Sequence, residues 1–268
     1  MDPAIARIGR IFYGIAIAAF GLLTIYYRDF PYFLIPPKHG WISDHVIVVY
    51  LSGALLLLAG VCIVSGKKVL QVSLLLGTVL LSIFCFYFIP YELLVSTNYL
   101  HFGAWENAAK TLALAGGAFV IAARYPGAPA GFWKTLIPLG AICFPLTIIS
   151  FSIDHFLYAE QAAGYVPSWI PNPVFWLYLT GSALLASGVA IVLRIKPRLS
   201  AGLLGSMIFI WVLILHIPKA VAESLAGGGG EISSAFLALA YCGIAFVIAG
   251  AAQGTEPLPA SLTYSGNS

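Results

Sequence analysis

Residues 50–64 read YLSGALLLLAGVCIV, and residues 178–192 read YLTGSALLASGVAIV. Neither stretch holds a charged side chain, and each lies in an apolar run of about 20 residues, the length that an α-helix needs to cross a bilayer. The two stretches also match position by position when the sequence is shifted by 128 residues. Each stretch therefore predicts a membrane-spanning helix, and the pair predicts an internal repeat.

The composition of the whole chain also indicates a lipid environment. The 268 residues are 60% hydrophobic and only 9% charged, whereas a soluble domain carries about 25% charged residues. Such a chain cannot cover itself with a water-facing surface, so we predict an integral membrane protein whose first partner is the lipid bilayer. The 13 basic residues barely outnumber the 10 acidic ones and form no cluster, which excludes nucleic acid as a partner.

Further apolar runs extend the prediction along the chain. Together they fall at about 8–27, 46–65, 69–90, 105–123, 132–153, 174–194, 199–217 and 234–252. In lipid, a helix satisfies every backbone hydrogen bond within one segment, so the expected fold is an all-α bundle of eight transmembrane helices. The repeat divides it into two parallel four-helix units, 1–127 and 128–252, and a polar cytoplasmic tail follows at 253–268.

Several aligned positions of the repeat carry glycine, proline or tryptophan in both halves. Small residues let membrane helices approach closely, a tryptophan anchors a chain at headgroup level, and a proline breaks a helix locally. On these grounds we predict structural roles for Trp41, Gly53, Gly60, Pro90, Pro171, Gly181, Gly188 and Pro218.

The charges predict the orientation of the bundle. Nine of the thirteen basic residues fall on the N-terminal side, whereas eight of the ten acidic residues and all five histidines fall toward the other side. The positive-inside rule then places both termini in the cytoplasm. The residues that can carry chemistry are therefore expected at the outer end of the helices.

The cysteines and histidines do not form patterns typical of a metal site or a disulfide. Cys62, Cys85, Cys143 and Cys242 each stand alone in an apolar run, as small buried side chains do. No cysteine or histidine spacing typical of a metal site is present. We predict no metal ion, no disulfide and no catalytic residue.

The most informative polar residues lie in the second half. Asp154 and His155 end the fifth apolar run, and their counterparts in the first half are Tyr26 and Tyr27. A charge near the end of a span usually reaches interfacial water, but a buried polar pair could instead bind a carbonyl group. A single site would then belong to the second half, and its candidate ligand-binding residues are Asp154, His155, Tyr158, Glu160, Trp169 and His216.

His216 has two interpretations. It precedes Pro218 by two residues, and its first-half counterpart is Phe88. A proline frees backbone carbonyls, so the histidine could simply bind a broken helix end, or it could face His155 across the bundle. A haem between the two histidines has no spacing to support it. Separately, Glu106 and Lys110 are spaced for a structural ion pair on one helix.

These motifs together resemble the DoxX-like integral membrane proteins of bacteria. The resemblance rests on DHF-Y, VPSWIP, FW-YLTG-ALLASG and LHIP in the second half and on WENAAKTLALAGGAF in the first. It covers most of the chain, although one four-helix unit makes the usual short form of the family. Some relatives are associated with thiosulfate:quinone oxidoreductase and others with redox or thiol-stress assemblies, but the family implies no catalytic residue at the positions that match it: His155, Pro167, Trp169, Ile170, Pro171, Gly181, His216 and Pro218.

Three functions are consistent with these observations. Because the helices carry few polar residues, the sequence favours an accessory or anchor subunit of a larger, redox-related assembly in the bacterial inner membrane. Such a subunit would have no catalysis of its own. The first alternative is a quinone- or lipid-binding component with a site at the outer face, which predicts a cavity there. The second is a small-solute transporter, which requires polar residues along the whole path.

Overall fold

The computed structural model describes residues 3–36, 45–127, 131–223 and 227–251. All regular structure in these ranges is helical, as the sequence predicts. The main helices are α1 (Pro3–Tyr27), α2 (Val46–Ser65), α3 (Val69–Val95), α4 (Glu106–Ala122), α5 (Phe132–Leu157), α6 (Pro173–Val192), α7 (Pro197–Ala222) and α8 (Gly230–Ala251).

Seven helices of the described chain are long and apolar enough to cross a membrane. The remaining one, α4, has 17 residues, or about 25 Å at the usual helical rise, against a hydrocarbon core of about 30 Å. Its residues Ala113–Ala122 are all buried, so α4 forms the centre of the bundle. The prediction near 105–123 therefore located a helix, but one shorter than the other seven.

The packing of the helices is antiparallel and pairwise. α1 lies between α2 and α8, and α5 lies between α4 and α6, while α3 packs on α4 and α7 packs on α8. Gly9 near the start of α1 faces Gly243 and Val247 near the end of α8. The beginning and the end of the described chain therefore lie at the same end of the bundle, here called the terminal end; the other is the distal end.

The predicted structural glycines lie where helices approach most closely. A Cβ atom at Gly60 would lie 2.5 Å from the carbonyl oxygen of Gly14, and one at Gly53 would lie 2.9 Å from that of Gly21. The α5–α6 contact is similar, because a Cβ atom at Gly188 would lie 3.0 Å from the Pro145 carbonyl oxygen. Glycine therefore sets the backbone separation at both contacts.

Two of the predicted structural prolines, Pro90 and Pro218, follow widened turns and do not end their helices. Val212–His216 form a π-helical turn in which Ile217 N–H donates to the Val212 carbonyl. Pro218 has no N–H and its ring clashes with a normal α-helical turn before it, and a π-bulge accommodates that clash. In α3 the π-helical turn at Phe84–Phe88 precedes Pro90 in the same way.

The outer faces of the bundle are apolar. Leu51, Leu55 and Leu58 on α2 are each more than half exposed, and so is Leu203 on α7. Exposed leucine in such numbers is expected of a surface that meets lipid rather than water. The predicted anchor Trp41 lies outside the described residues.

Candidate functional site

A cavity of about 1050 Å³ lies at the distal end among α4, α5, α6, α7 and α8. Its deeper wall is apolar and includes Leu184, Met207, Ile208 and Leu237. Its mouth is polar and carries His101, Glu106, Lys110, Asp154, Lys219 and Glu231. An apolar chamber with a few polar groups at one end suits an amphipathic ligand.

Asp154 and His155 both line this cavity, but they do not form the pair that their adjacency suggested. Nδ1 of His155 lies 2.7 Å from the Phe151 carbonyl oxygen. A carbonyl only accepts, so Nδ1 carries the hydrogen and donates it. Nε2 is then the ring nitrogen with which His155 could bind a ligand.

Asp154 is the more unusual of the two residues. Its Oδ1 atom is buried and has no hydrogen-bond partner in the described chain. A buried carboxylate oxygen without a partner costs free energy, on the order of 1–3 kcal/mol or more. Asp154 lines the cavity, so this unpaired acceptor belongs to one of the residues that surround it.

His216 lines the same cavity from α7, at the end of the π-helical turn. The structure thus brings His155 and His216 to one cavity from two helices. Nearby, the Lys219 ammonium group lies 3.9 Å from the centroid of the Tyr165 ring and 3.9 Å from Glu231 Oε1. Lys219 is therefore held between an aromatic face and a carboxylate.

Glu223 also lines the cavity but has a structural task. Its Oε1 accepts from the Gly230 N–H at 2.9 Å, and its Oε2 accepts from the N–H groups of Glu231 at 2.9 Å and Ile232 at 3.0 Å. These are the backbone donors that the first turn of a helix leaves unpaired. Glu223 thus caps α8 and positions that helix against the cavity.

The predicted ion pair forms and lines the cavity at the start of α4. Lys110 Nζ lies 2.7 Å from Glu106 Oε1, 3.2 Å from Asn107 Oδ1 and 5.0 Å from the centroid of the Tyr32 ring. The Tyr32 hydroxyl in turn lies 2.8 Å from Ser234 Oγ. This network joins the segment after α1 to α4 and α8.

Tyr158 connects two distal segments at the mouth. Its hydroxyl lies 3.2 Å from His101 Nε2 and accepts from the Gly103 N–H at 3.4 Å. The rings of Tyr158 and His101 stack with their centroids 5.2 Å apart. The sequence predicted Tyr158 as a ligand-binding residue. Tyr158 lines the cavity, and its hydroxyl is bound to the chain before α4, so Tyr158 also shapes the mouth.

Two other candidates lie elsewhere. Trp169 is 70% exposed and Glu160 is exposed, and neither lines the cavity. The segment after α5 turns both side chains away from the helices. Trp176 lines the cavity, and its Nε1–H donates to the carbonyl of the predicted structural residue Pro171 at 3.1 Å.

The structure adds Tyr241, which the sequence analysis missed. Tyr241 is only 6% exposed, lines the cavity from α8, and its hydroxyl has no hydrogen-bond partner in the described chain. The internal repeat could have identified Tyr241. GGAFVIA at 116–122 aligns with GIAFVIA at 243–249, and this alignment pairs Leu114 of the first half with Tyr241 of the second. Tyr241 is thus another polar residue that occurs in the second half alone.

The remaining structural residue near the site is Gly181. A Cβ atom there would lie 2.9 Å from Cβ of His155, and the Gly181 carbonyl accepts from Ser152 Oγ–H at 2.8 Å. The close α5–α6 contact therefore holds the backbone that carries His155. No group of three or more histidine, cysteine, aspartate or glutamate side chains in the described ranges could hold a metal ion.

The arrangement offers groups that can bind a ligand. It presents a buried hydroxyl donor, a buried carboxylate acceptor and an imidazole around an apolar chamber. Comparison of the chain with protein-family models, with curated proteins and with solved structures found no match. The resemblance to the DoxX-like family stays a prediction from the residues quoted above.

Proposed function

We propose that the chain binds an amphipathic small molecule of the quinone class in the distal cavity. The observation that carries this proposal is the cavity itself, of about 1050 Å³, with two buried polar atoms in its lining residues, Asp154 Oδ1 and the Tyr241 hydroxyl, that lack a partner in the described chain. A quinone ring offers carbonyl acceptors to Tyr241 and, when reduced, hydroxyl donors to Asp154. Its isoprenoid tail suits the apolar wall.

We also infer that the two halves are copies of one four-helix unit, as the 128-residue shift predicts. The supporting contacts come in pairs: a Cβ atom at Gly77 would lie 2.7 Å from the Phe119 ring, and one at Gly205 would lie 2.6 Å from the Phe246 ring. Phe119 and Phe246 are themselves aligned in the sequence.

The repeat supplies a reason why the site belongs to the second half. In the first half Phe20, Phe33 and Phe88 are fully buried, and the rings of Phe20 and Phe33 pack 4.9 Å apart. Their counterparts are Ile148, Gln161 and His216. Two of these, Ile148 and His216, line the cavity, which suggests that the loss of aromatic volume left the space open.

A quinone titration of the purified protein tests the proposal. Trp176 and Trp211 line the cavity, so a short-tailed benzoquinone or naphthoquinone is expected to quench tryptophan fluorescence in a saturable way. His216→Phe restores the first-half residue and fills part of the space. We expect it to weaken the apparent affinity at least ten-fold, because the ring would occupy the volume of the ligand.

The matched control adds the same ring outside the cavity. Leu213 lies on α7 and is 48% exposed, so Leu213→Phe is expected to leave the affinity within two-fold. Quenching that never saturates, or that is equal in His216→Phe and the parent chain, would contradict the proposal. Retention of a phospholipid that quinone does not displace would assign the cavity to a lipid instead.

The accessory-subunit role stays a prediction, since no contact in the described chain bears on it. Quinone binding is compatible with it, because a subunit of a redox assembly can carry such a site. We further infer that the membrane is the bacterial inner membrane with both termini in the cytoplasm. The support is the excess of basic residues on the terminal side of the sequence.

A further inference from the structure

A second pocket lies at the opposite, terminal end of the bundle. It has a volume of about 330 Å³ and is formed by the start of α1, the end of α4 and the end of α8. Its polar side chains include Arg7, Arg10 and Arg124, and its apolar walls include Ile121 and Val247. Three guanidinium groups therefore share a space of the size that a small ligand or a lipid headgroup fills.

The three arginines differ in how they are held. Arg10 Nη1 donates to the carbonyl oxygens of Ile63 and, at 3.2 Å, Val64, which fixes its guanidinium at the end of α2. Neither the Arg7 nor the Arg124 side chain has a hydrogen bond or ion pair with any residue in the described ranges. Arg10 thus anchors the pocket, while the other two retain their donors for a ligand.

The charges around this pocket are one-sided. The acidic residues of the described chain belong to segments at or near the distal end: Asp29, Glu92, Glu106, Asp154, Glu160, Glu223 and Glu231. The sequence contains three further acids, Asp2, Asp44 and Glu256, which lie outside the described residues. Three like charges in one pocket repel one another, so an anion that bound there would relieve that repulsion.

We propose that the arginine pocket binds a phosphate group, carried either by an anionic phospholipid or as a free ion. Guanidinium groups bind phosphate in a bidentate, charge-assisted way. Basic pockets between membrane helices on the cytoplasmic side are sites where anionic headgroups bind. This site is independent of the distal cavity.

Native mass spectrometry of the detergent-purified chain, with phosphatidylglycerol added, tests the proposal. We expect Arg7→Gln/Arg124→Gln to weaken the apparent affinity for this lipid at least ten-fold. The matched control is Arg198→Gln, because Arg198 is a basic residue of the terminal end that is exposed and lies outside the pocket. That variant removes one positive charge, as Arg124→Gln alone does, and we expect it to change the affinity less than two-fold.

A phosphate competition identifies the source of the group. If millimolar inorganic phosphate displaces the lipid, or raises the melting temperature of the parent chain but not of the double variant, the pocket binds free phosphate as well. An equal loss in Arg198→Gln would overturn the proposal, since it would show diffuse attraction to a basic surface. So would undiminished lipid binding in the double variant; should that variant not fold, Arg124→Gln alone carries the same test.

Discussion

Two buried tyrosines show how one hydroxyl group can serve structure or ligand binding. Tyr13 on α1 is fully buried, and its hydroxyl donates to the Leu114 carbonyl at 2.7 Å. Tyr241 on α8 is almost as buried, but its hydroxyl has no partner in the described chain. The residue type is the same in both cases, and only the neighbouring helix decides whether the hydroxyl is satisfied.

Removal of each hydroxyl is expected to have opposite consequences. Tyr13→Phe loses a satisfied buried hydrogen bond and should lower the free energy of unfolding by about 1 kcal/mol, without a change in quinone affinity. Tyr241→Phe removes a buried group that has no partner, so stability should stay the same or rise slightly. Its quinone affinity should fall about three- to ten-fold, because the donor to the ring carbonyl is gone.

Thermal unfolding without ligand and the fluorescence titration measure both effects on the same preparations. Each variant serves as the control for the other, since both remove one oxygen atom from a buried ring. Equal affinity loss in the two variants would mean that the hydroxyl at position 241 has no direct contact with the ligand.

At the scale of helices, glycine contacts determine how closely the elements pack. The α1–α2 contact depends on Gly14 and Gly60, and the α5–α6 contact involves Gly181 and Gly188. In a membrane, lipid is as apolar as the helix surface, so association rests on close packing and not on removal of apolar surface from water. A single methyl group at such a contact therefore has a large effect.

Gly60→Ala is expected to destabilise the bundle by about 1–3 kcal/mol, because its Cβ atom would meet the backbone of α1. Gly202→Ala on α7 is the matched control, since its nearest neighbour would be Cβ of Ala249 at an ordinary 3.9 Å. That variant should be neutral or stabilising by about 0.5–1 kcal/mol, because alanine favours the helix. Unfolding in a mixed detergent series measures both, and similar losses at the two positions would argue against backbone contact as the cause.

At the scale of the whole molecule, α4 decides the topology of the chain. It runs from the ion pair Glu106–Lys110 at the distal cavity to Arg124 at the terminal pocket. It therefore traverses the bundle although it is shorter than the other helices, and its burial shields most of it from lipid. We therefore predict that α4 is a further crossing of the membrane, so that the number of crossings is even and the two ends of the described chain lie on one side.

Reporter fusions after residues 98, 127 and 268 test this topology. We expect a fluorescent protein that folds only in the cytoplasm to be active after 127 and 268, and alkaline phosphatase to be active after 98. The physical reason is that α4 and α8 both return the chain to the basic side. Fusions after 98 and 127 that report the same compartment would show that α4 does not cross, and would place the two termini on opposite sides.

Much of the candidate site could be found from differences between the two halves of the sequence. Asp154, His155 and His216 were identified because the first half has other residues at the same positions, and all three line the cavity. Tyr241 would have been found by the same comparison with Leu114. Trp169 lies outside the cavity, because the alignment of two tryptophans predicts depth in a membrane but not the direction in which a connecting segment turns.

The sequence by itself determined the solvent, the helical class, most of the spans and the closely packed glycine positions, because hydrophobic length and residue size act locally along one helix. Only the tertiary structure decided where space remains. The distal cavity requires residues from five helices, and the arginine pocket joins Arg7 to Arg124 across the bundle. Whether a buried polar group has a hydrogen-bond partner depends on the volumes of side chains from distant parts of the chain. A local sequence pattern does not predict how those side chains fill the space together.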